Sequence, residues 1–244
     1  MDWAALGSGP GPPPRTEKPK GGFELAHIIA PVPWRSIEQE LVFRTMAAGK
    51  AYAEARVPSL LVSLFVVQVV GDPPLKVPPS FRTAGVVPES TRTKYGCKKN
   101  IPFVADVIRA VRAAAPTASY YVLSNADIDP MPHFYESIHY QSTVGRADGF
   151  DILKVLIPVV CDGQLLAENM TAALHWASLL PQTHPGHDCF AWKAEATESV
   201  LGVVGPVFFG FPPVGAHMVQ AIRRSIRRFQ TVKRQHWTFH VGTE

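Results

Sequence analysis

The run at residues 59–70 (SLLVSLFVVQVV) constrains this chain more than any other segment. It is well short of the roughly 20 apolar residues that a membrane-crossing helix needs. Its apolar residues are continuous rather than alternating, so both faces must be covered, and the run reads as a strand buried within a sheet.

Its neighbours supply that cover. Residues 26–30 (AHIIA) form a short strand, and Ser36-Ile37-Glu38-Gln39 has the Ser-x-x-Gln pattern that starts a helix. Ile37, Leu41, Ala48 and Tyr52 make its inward stripe, and Val57-Pro58 stops it after Arg56. Residues 71–100 lack a clear period and read as a long functional loop. Pro102 then opens a helix that turns Val104, Val107, Ile108 and Val111 to one face. Residues 119–124 (SYYVLS) form a strand that runs into Asn125-Ala126-Asp127-Ile128-Asp129, with Pro132 starting a helix through residues 133–140. Residues 152–158, 189–192 and 206–210 read as further strands. A last helix turns Met218, Ile222, Ile226 and Phe229 inward and Arg223, Arg224, Arg227 and Arg228 outward. Strands alternating with helices at this spacing predict a mainly parallel α/β sheet with helices on both faces.

A chain of 244 residues, 46% of them apolar, can bury a sizeable core, and we assign residues 23–244 to one catalytic domain. Residues 1–22 hold five Pro and five Gly with almost no periodic apolar residue and read as a disordered leader. They lack the basic start, apolar stretch and cleavage site of a signal peptide. Three cysteines (Cys97, Cys161, Cys189) support neither a disulfide framework nor a cysteine zinc site, which points to a reducing, cytoplasmic setting. The net charge of +4 arises at the C-terminal end, where residues 199–243 carry six Arg or Lys and no acidic residue. Such a segment can meet nucleic acid, anionic lipid or a diphosphate, or it can be a solvated helix face.

In open α/β sheets ligands bind beyond the carboxyl ends of strands, where Asp127 and Asp129 fall. Two carboxylates one residue apart can hold a hard divalent cation that bridges two phosphates; the competing reading is a turn in which Asp caps the next helix. His184, His187 and Cys189 lack a fourth partner at a familiar zinc spacing, and Cys189 as a nucleophile lacks a visible base. There is no phosphate-binding P-loop and no dinucleotide fingerprint.

The block at residues 120–129 (YYVLSNADID) resembles the strand and Asn-x-Asp-Ile segment of GT-A-like nucleotide-diphospho-sugar transferases. Residues 130–135, the His-Pro-Gly-His-Asp-Cys-Phe of residues 184–190, the Gly-Phe-Pro-Pro-Val-Gly of residues 210–215 and the Thr-Phe-His of residues 238–240 are similar to later blocks of that group, in order. The resemblance spans residues 23–242 and implies a GT-A-like, Rossmann-like fold. It also implies glycosyl transfer from a nucleotide-sugar donor to an acceptor, with Mn2+ or Mg2+ on the diphosphate. By that pattern Asp127 and Asp129 hold the metal, His240 completes its shell, and Asn125 shapes the nucleotide-binding turn. Asp188 is then the acceptor-side carboxylate that takes the hydroxyl proton. The group often has another residue two positions after its principal acid, which makes Asp129 the weaker half of the pair. Two other readings stand beside this one: a GT-A-like protein that binds a sugar nucleotide without transferring it, and a nucleic-acid-associated protein that uses the basic C-terminal helix. Neither a nucleic-acid partner nor a transmembrane segment is expected.

Overall fold

A computed structural model describes residues 17, 21–30, 33, 36–161, 163–180, 184, 186–210 and 213–242. The expected leader lies almost wholly outside them. The buried run is strand β2 (Leu60–Val69), in which only Gln68 is half-buried. It lies parallel between β1 (Phe23–Ile29) and β3 (Phe81–Val87). β1 pairs on its other side, also in parallel, with β4 (Tyr120–Ser124). β10 (Cys189–Lys193) follows, antiparallel to β4 and to β6 (Gly149–Ile152), and β11 (Phe229–Val232) closes the seven-stranded sheet in parallel with β6.

Helix α1 (Ile37–Arg56) starts where the capping pattern places it, with the Ser36 hydroxyl accepting from the Gln39 amide. Its inward surface is not the simple stripe expected. Val42, Phe43, Met46 and Ala53 are buried, whereas Ile37, Ala48 and Tyr52 are only half-buried. The reason is charge taken inside. Lys50 and Glu54 pair at 2.5 Å and bond the Val62 carbonyl and amide of β2, so two charged residues occupy the sheet-facing side.

The stretch 71–100 is not simply a loop: it contains β3 and α2 (Thr91–Tyr95). An edge strand buries little, and of β3 only Phe81 and Val87 are buried, so it carries no hydrophobic period. Pro102 lies ahead of α3 (Val104–Ala114), bridged to Ser90, while Val104, Val107, Ile108 and Val111 are buried as expected. After β4 comes the two-residue β5 (Asp129–Pro130), then α4 (Phe134–Thr143).

The strand expected at 152–158 is two strands. At Leu153 the chain leaves β6 in the large sheet and continues as β7 (Lys154–Ile157) in a second sheet. A hairpin of β8 (Val160–Cys161) and β9 (Gln164–Leu165) leads to α5 (Met170–Leu179), and α6 (Thr197–Val204) follows β10. Residues 206–210 form no strand beyond an isolated bridge between Phe208 and Phe103. The last helix, α7, covers only Val214–Ser225, so Arg227 and Arg228 lie beyond it and Phe229 belongs to β11. Arg228 grips Asp148 through two nitrogens at 3.0 and 2.8 Å, which breaks up the expected basic helix face. β12 (Thr238–Val241) completes the second sheet in the order β5-β12-β7.

Leu25, Val42, Met46, Phe134 and Phe150 pack one face of the large sheet. Ile28, Phe65, Ile108, Trp192 and Ile222 pack the other. The fold is thus α/β with a mainly parallel sheet covered on both faces. No helix among the described residues is long and apolar enough to cross a membrane.

His27 on β1 sits inside the first of these faces, its ring nitrogens 2.8 Å from the Tyr135 hydroxyl and 2.9 Å from Ser124 Oγ. Burial lowers its pKa from 6.5 to about 3. The unfolded chain therefore binds a proton here that the folded one refuses, and stability falls as pH drops from 6.5 towards 3, by about 1.4 kcal/mol per pH unit. Urea unfolding at a series of pH values is expected to show a steeper acid-side loss in the parent than in His27→Gln. Equal slopes would remove His27 as the source.

Candidate functional site

The parallel strands β1, β2 and β4 point their carboxyl ends to one edge, and the antiparallel β10 begins there. Cys189 pairs with Ser124, so the residues just outside the ladder meet: the Asn125 amide donates to the Asp188 carbonyl at 3.0 Å. Asn125 Nδ2 then donates to Asp188 Oδ1 at 2.7 Å. The other oxygen, Oδ2, accepts from Lys154 Nζ at 2.5 Å at the start of β7. Asp188 and Lys154 are mostly buried, with side chains 22% and 14% exposed. Both oxygens of the expected acceptor-side carboxylate are therefore engaged.

Asp127 lies in the turn after β4 with its side chain 53% exposed. β12, running beside β7, brings His240 to it from 113 positions along the chain. His240 Nδ1 is 2.8 Å from the Asp127 carbonyl and 3.8 Å from Oδ2. A carbonyl oxygen can only accept, so Nδ1 carries a proton, and in the neutral ring Nε2 holds the lone pair. Nε2 has no hydrogen-bond partner among the described residues. A Cβ on residue 242 would come within 2.7 Å of it, so Gly242 leaves that nitrogen open.

Asp129, two residues from Asp127, faces elsewhere. Its pairing with Phe239 of β12 draws it into the second sheet, where it is 1% exposed and Oδ1 accepts from Thr45 of α1 at 3.0 Å. Burial pushes its carboxyl well above the usual range, against the pull of the Thr45 bond. The two carboxylates of the Asp-x-Asp motif thus have opposite environments. One is exposed beside the His240 ring, and the other is a buried group that ties α1 to the site.

His184, His187 and Cys189 have separate partners. The Gly186 amide donates to His184 Nδ1 at 2.9 Å, and His187 Nδ1 lies 3.0 Å from both oxygens of Asp151. Cys189 is buried, and burial pushes its thiol well up, which suits a packed side chain rather than a nucleophile. Among the described residues no group of three or more His, Cys, Asp or Glu side chains could hold a metal. Lys154 and the Asp151–His187 pair escaped the sequence reading. The one visible signal was a Lys and an Asp flanking an otherwise apolar strand segment, Asp151-Ile152-Leu153-Lys154. Two clefts have linings that include none of these side chains: one of about 650 Å3 beside Arg44 and Glu168, and one of about 380 Å3 at the amino ends of β1 and β4.

No protein-family model matches the sequence, and no curated protein sequence matches it. Solved structures do match. The Staphylococcus aureus TarS 1-349 chain in complex with UDP-GlcNAc aligns at a TM-score of 0.50 with 8% identity, over 91% of this chain and 59% of that one. A further structure of TarS 1-349 aligns at 0.50 with 7% identity, over 90% of this chain and 60% of that one. Glucosyl-3-phosphoglycerate synthase from Mycobacterium tuberculosis, in complex with Mg2+ and UDP, aligns at 0.42 with 12% identity, over 91% and 70%. The chain spans about three fifths of the length of the TarS chains it matches. The fold is GT-A-like.

A carboxyl raised by burial contributes its stability below the unfolded carboxylate pKa and loses it as pH rises through the folded one. Asp129→Asn keeps an oxygen for Thr45 and carries no charge to desolvate. At pH 7 this variant is expected to melt above the parent, by about 2–4 °C for each kcal/mol gained. A melting temperature well below the parent's would mean that the charge at Asp129 supports the fold.

Proposed function

We propose that the chain transfers a sugar from a nucleotide-diphosphate donor to an acceptor, with Mn2+ or Mg2+ held by Asp127 and His240. The observation that carries this reading is their juxtaposition: an exposed carboxylate and an imidazole with its Nε2 lone pair open, at the carboxyl edge of a GT-A-like sheet. Carboxylate oxygen and neutral imidazole are an acceptable donor pair for Mn2+, and Asp127 and His240 would hold it with the remaining positions left to donor and solvent. When bound, the cation neutralises charge on the departing nucleoside diphosphate.

The protein's own groups do the placing. Asn125, locked by its two bonds to Asp188, shapes the turn that presents Asp127. Asp129 acts behind that turn, anchoring it to α1 through Thr45 rather than meeting the metal. Asp188, held between Asn125 and Lys154, lines the acceptor side. The UDP-GlcNAc held by the S. aureus chain of the same fold makes a uridine donor the first to try.

Thermal unfolding with UDP, GDP, CDP and ADP, each with and without manganese, tests this reading. Metal-dependent stabilisation of the parent by at least one of them is expected, about 2.7 kcal/mol at a hundredfold excess over Kd. Asp127→Asn and His240→Ala should each lose most of it, while Asp129→Asn keeps it. No shift with any nucleotide, or an Asp127→Asn response equal to the parent's, would sink the assignment.

A further inference from the structure

We propose that His187, oriented by Asp151, is the general base that takes the acceptor's hydroxyl proton. This rests on the glycosyl-transfer reading above. The expected base, Asp188, has Oδ1 on Asn125 and Oδ2 on Lys154, so proton uptake would have to displace one of these bonds. The residue before it is arranged differently. His187 Nδ1 sits 3.0 Å from both Asp151 oxygens, and that carboxyl is 1% exposed. With Nδ1 donating to the carboxyl, Nε2 of the neutral ring holds the lone pair, and it has no partner among the described residues, on a side chain 35% exposed. An imidazole aligned through one nitrogen by a buried carboxyl, with the other nitrogen open, is the arrangement of an oriented base.

Its position suits the role. Asp188 bonds Asn125, two residues before Asp127, so His187 stands at the same sheet edge as the proposed donor site. Its backbone is held by close approach of α7. A Cβ on Gly215 would lie 2.4 Å from the His187 carbonyl oxygen and 2.8 Å from its Cβ, so only glycine lets the helix start there. The charged groups around the pair are Asp188 next in sequence, Lys154 on β7, which neutralises it, and Lys233 after β11, which acts on Asp151. Burial raises the Asp151 carboxyl and the His187 bond draws it back, so positive charge gained on the imidazole is compensated in place.

In the step proposed, the acceptor O–H bond breaks and its proton passes to His187 Nε2. The freed oxygen pair forms the bond to the donor's C1, and the bond from C1 to the diphosphate oxygen breaks, its electrons leaving with the nucleoside diphosphate. Attack and departure lie on opposite sides of C1, so the configuration inverts.

The test uses the full chain with manganese and, as probes, UDP-GlcNAc and GDP-mannose, with water as acceptor. Release of UDP or GDP is followed in the parent, His187→Gln, Asp151→Asn and Asp188→Asn. The anomer first formed is read by proton NMR, and nucleoside-diphosphate affinity is measured alongside. His187→Gln is expected to bind the diphosphate as the parent does while kcat falls about 10²- to 10⁴-fold, with partial rescue by added imidazole. Asp151→Asn should lower kcat and displace the acid limb of the pH profile, which a purely structural role would not move. The α-linked donors should give the β sugar first. Release by His187→Gln within a few-fold of the parent, retention at C1, or loss confined to Asp188→Asn would overturn the assignment. A parent that binds the diphosphate with manganese but releases none also overturns it, leaving the binding reading intact. A parent that binds none of UDP, GDP, CDP and ADP overturns both.

Discussion

The antiparallel pairing of β10 with β4 is the interaction on which the site depends. A wholly parallel sheet would bring only the carboxyl ends of strands, and the loops that follow them, to the functional edge. Because β10 enters at that edge instead of leaving from it, the residues before it, His187 and Asp188, are delivered beside those after β4, Asn125 and Asp127. The Cys189–Ser124 register holds them in place. A slip by one residue would turn every side chain of β10 to the other face and unpair Asp188 from Asn125. Trp192 and Phe190, buried on one face, and Cys189 and Ala191, buried on the other, make such a slip expensive.

Beneath that edge the core is bolted by polar groups. Lys50 and Glu54 join α1 to β2, Thr45 joins it to Asp129, and His27 spans Ser124 of β4 and Tyr135 of α4. None of these improves apolar burial, and each costs desolvation that its hydrogen bonds must offset. What they supply is direction. Ser124 and Asp129, which flank the Asp127 turn on either side, are each pinned by a side chain from another element, so the exposed Asp127 rests on a framed loop.

Elements with strong local signals were legible in the sequence. The continuous run of β2, the Ser36 cap of α1, the apolar face of α3 and the strand before Asp127 all stand where the residues imply. The misreadings share a cause, which is burial decided by distant partners. β3 buries too little to alternate, and β6 and β7 look like one strand because the change of sheet at Leu153 leaves the apolar character unbroken. Pro206 to Gly210 is apolar enough for a strand but meets only Phe103, through one bridge. The same limit applies to the site. Asp127 and His240 could be named from ordered blocks, whereas Lys154 and Asp151 are ordinary strand residues until β7 and β6 bring them to Asp188 and His187.

The two histidines at this edge show how a hydrogen-bond partner divides labour between identical side chains. Each places its Nδ1 against an oxygen and leaves Nε2 open. For His240 the oxygen is a backbone carbonyl, which accepts the N–H but carries no formal charge. For His187 the oxygens belong to a buried carboxyl, whose attraction grows when the imidazole takes a proton. A carbonyl in place of the carboxyl behind His187 would leave a new positive charge on that ring uncompensated. In the reaction proposed, a neutral partner on the donor side and an acidic one on the acceptor side would let a single sheet edge bind a diphosphate and accept a proton at once.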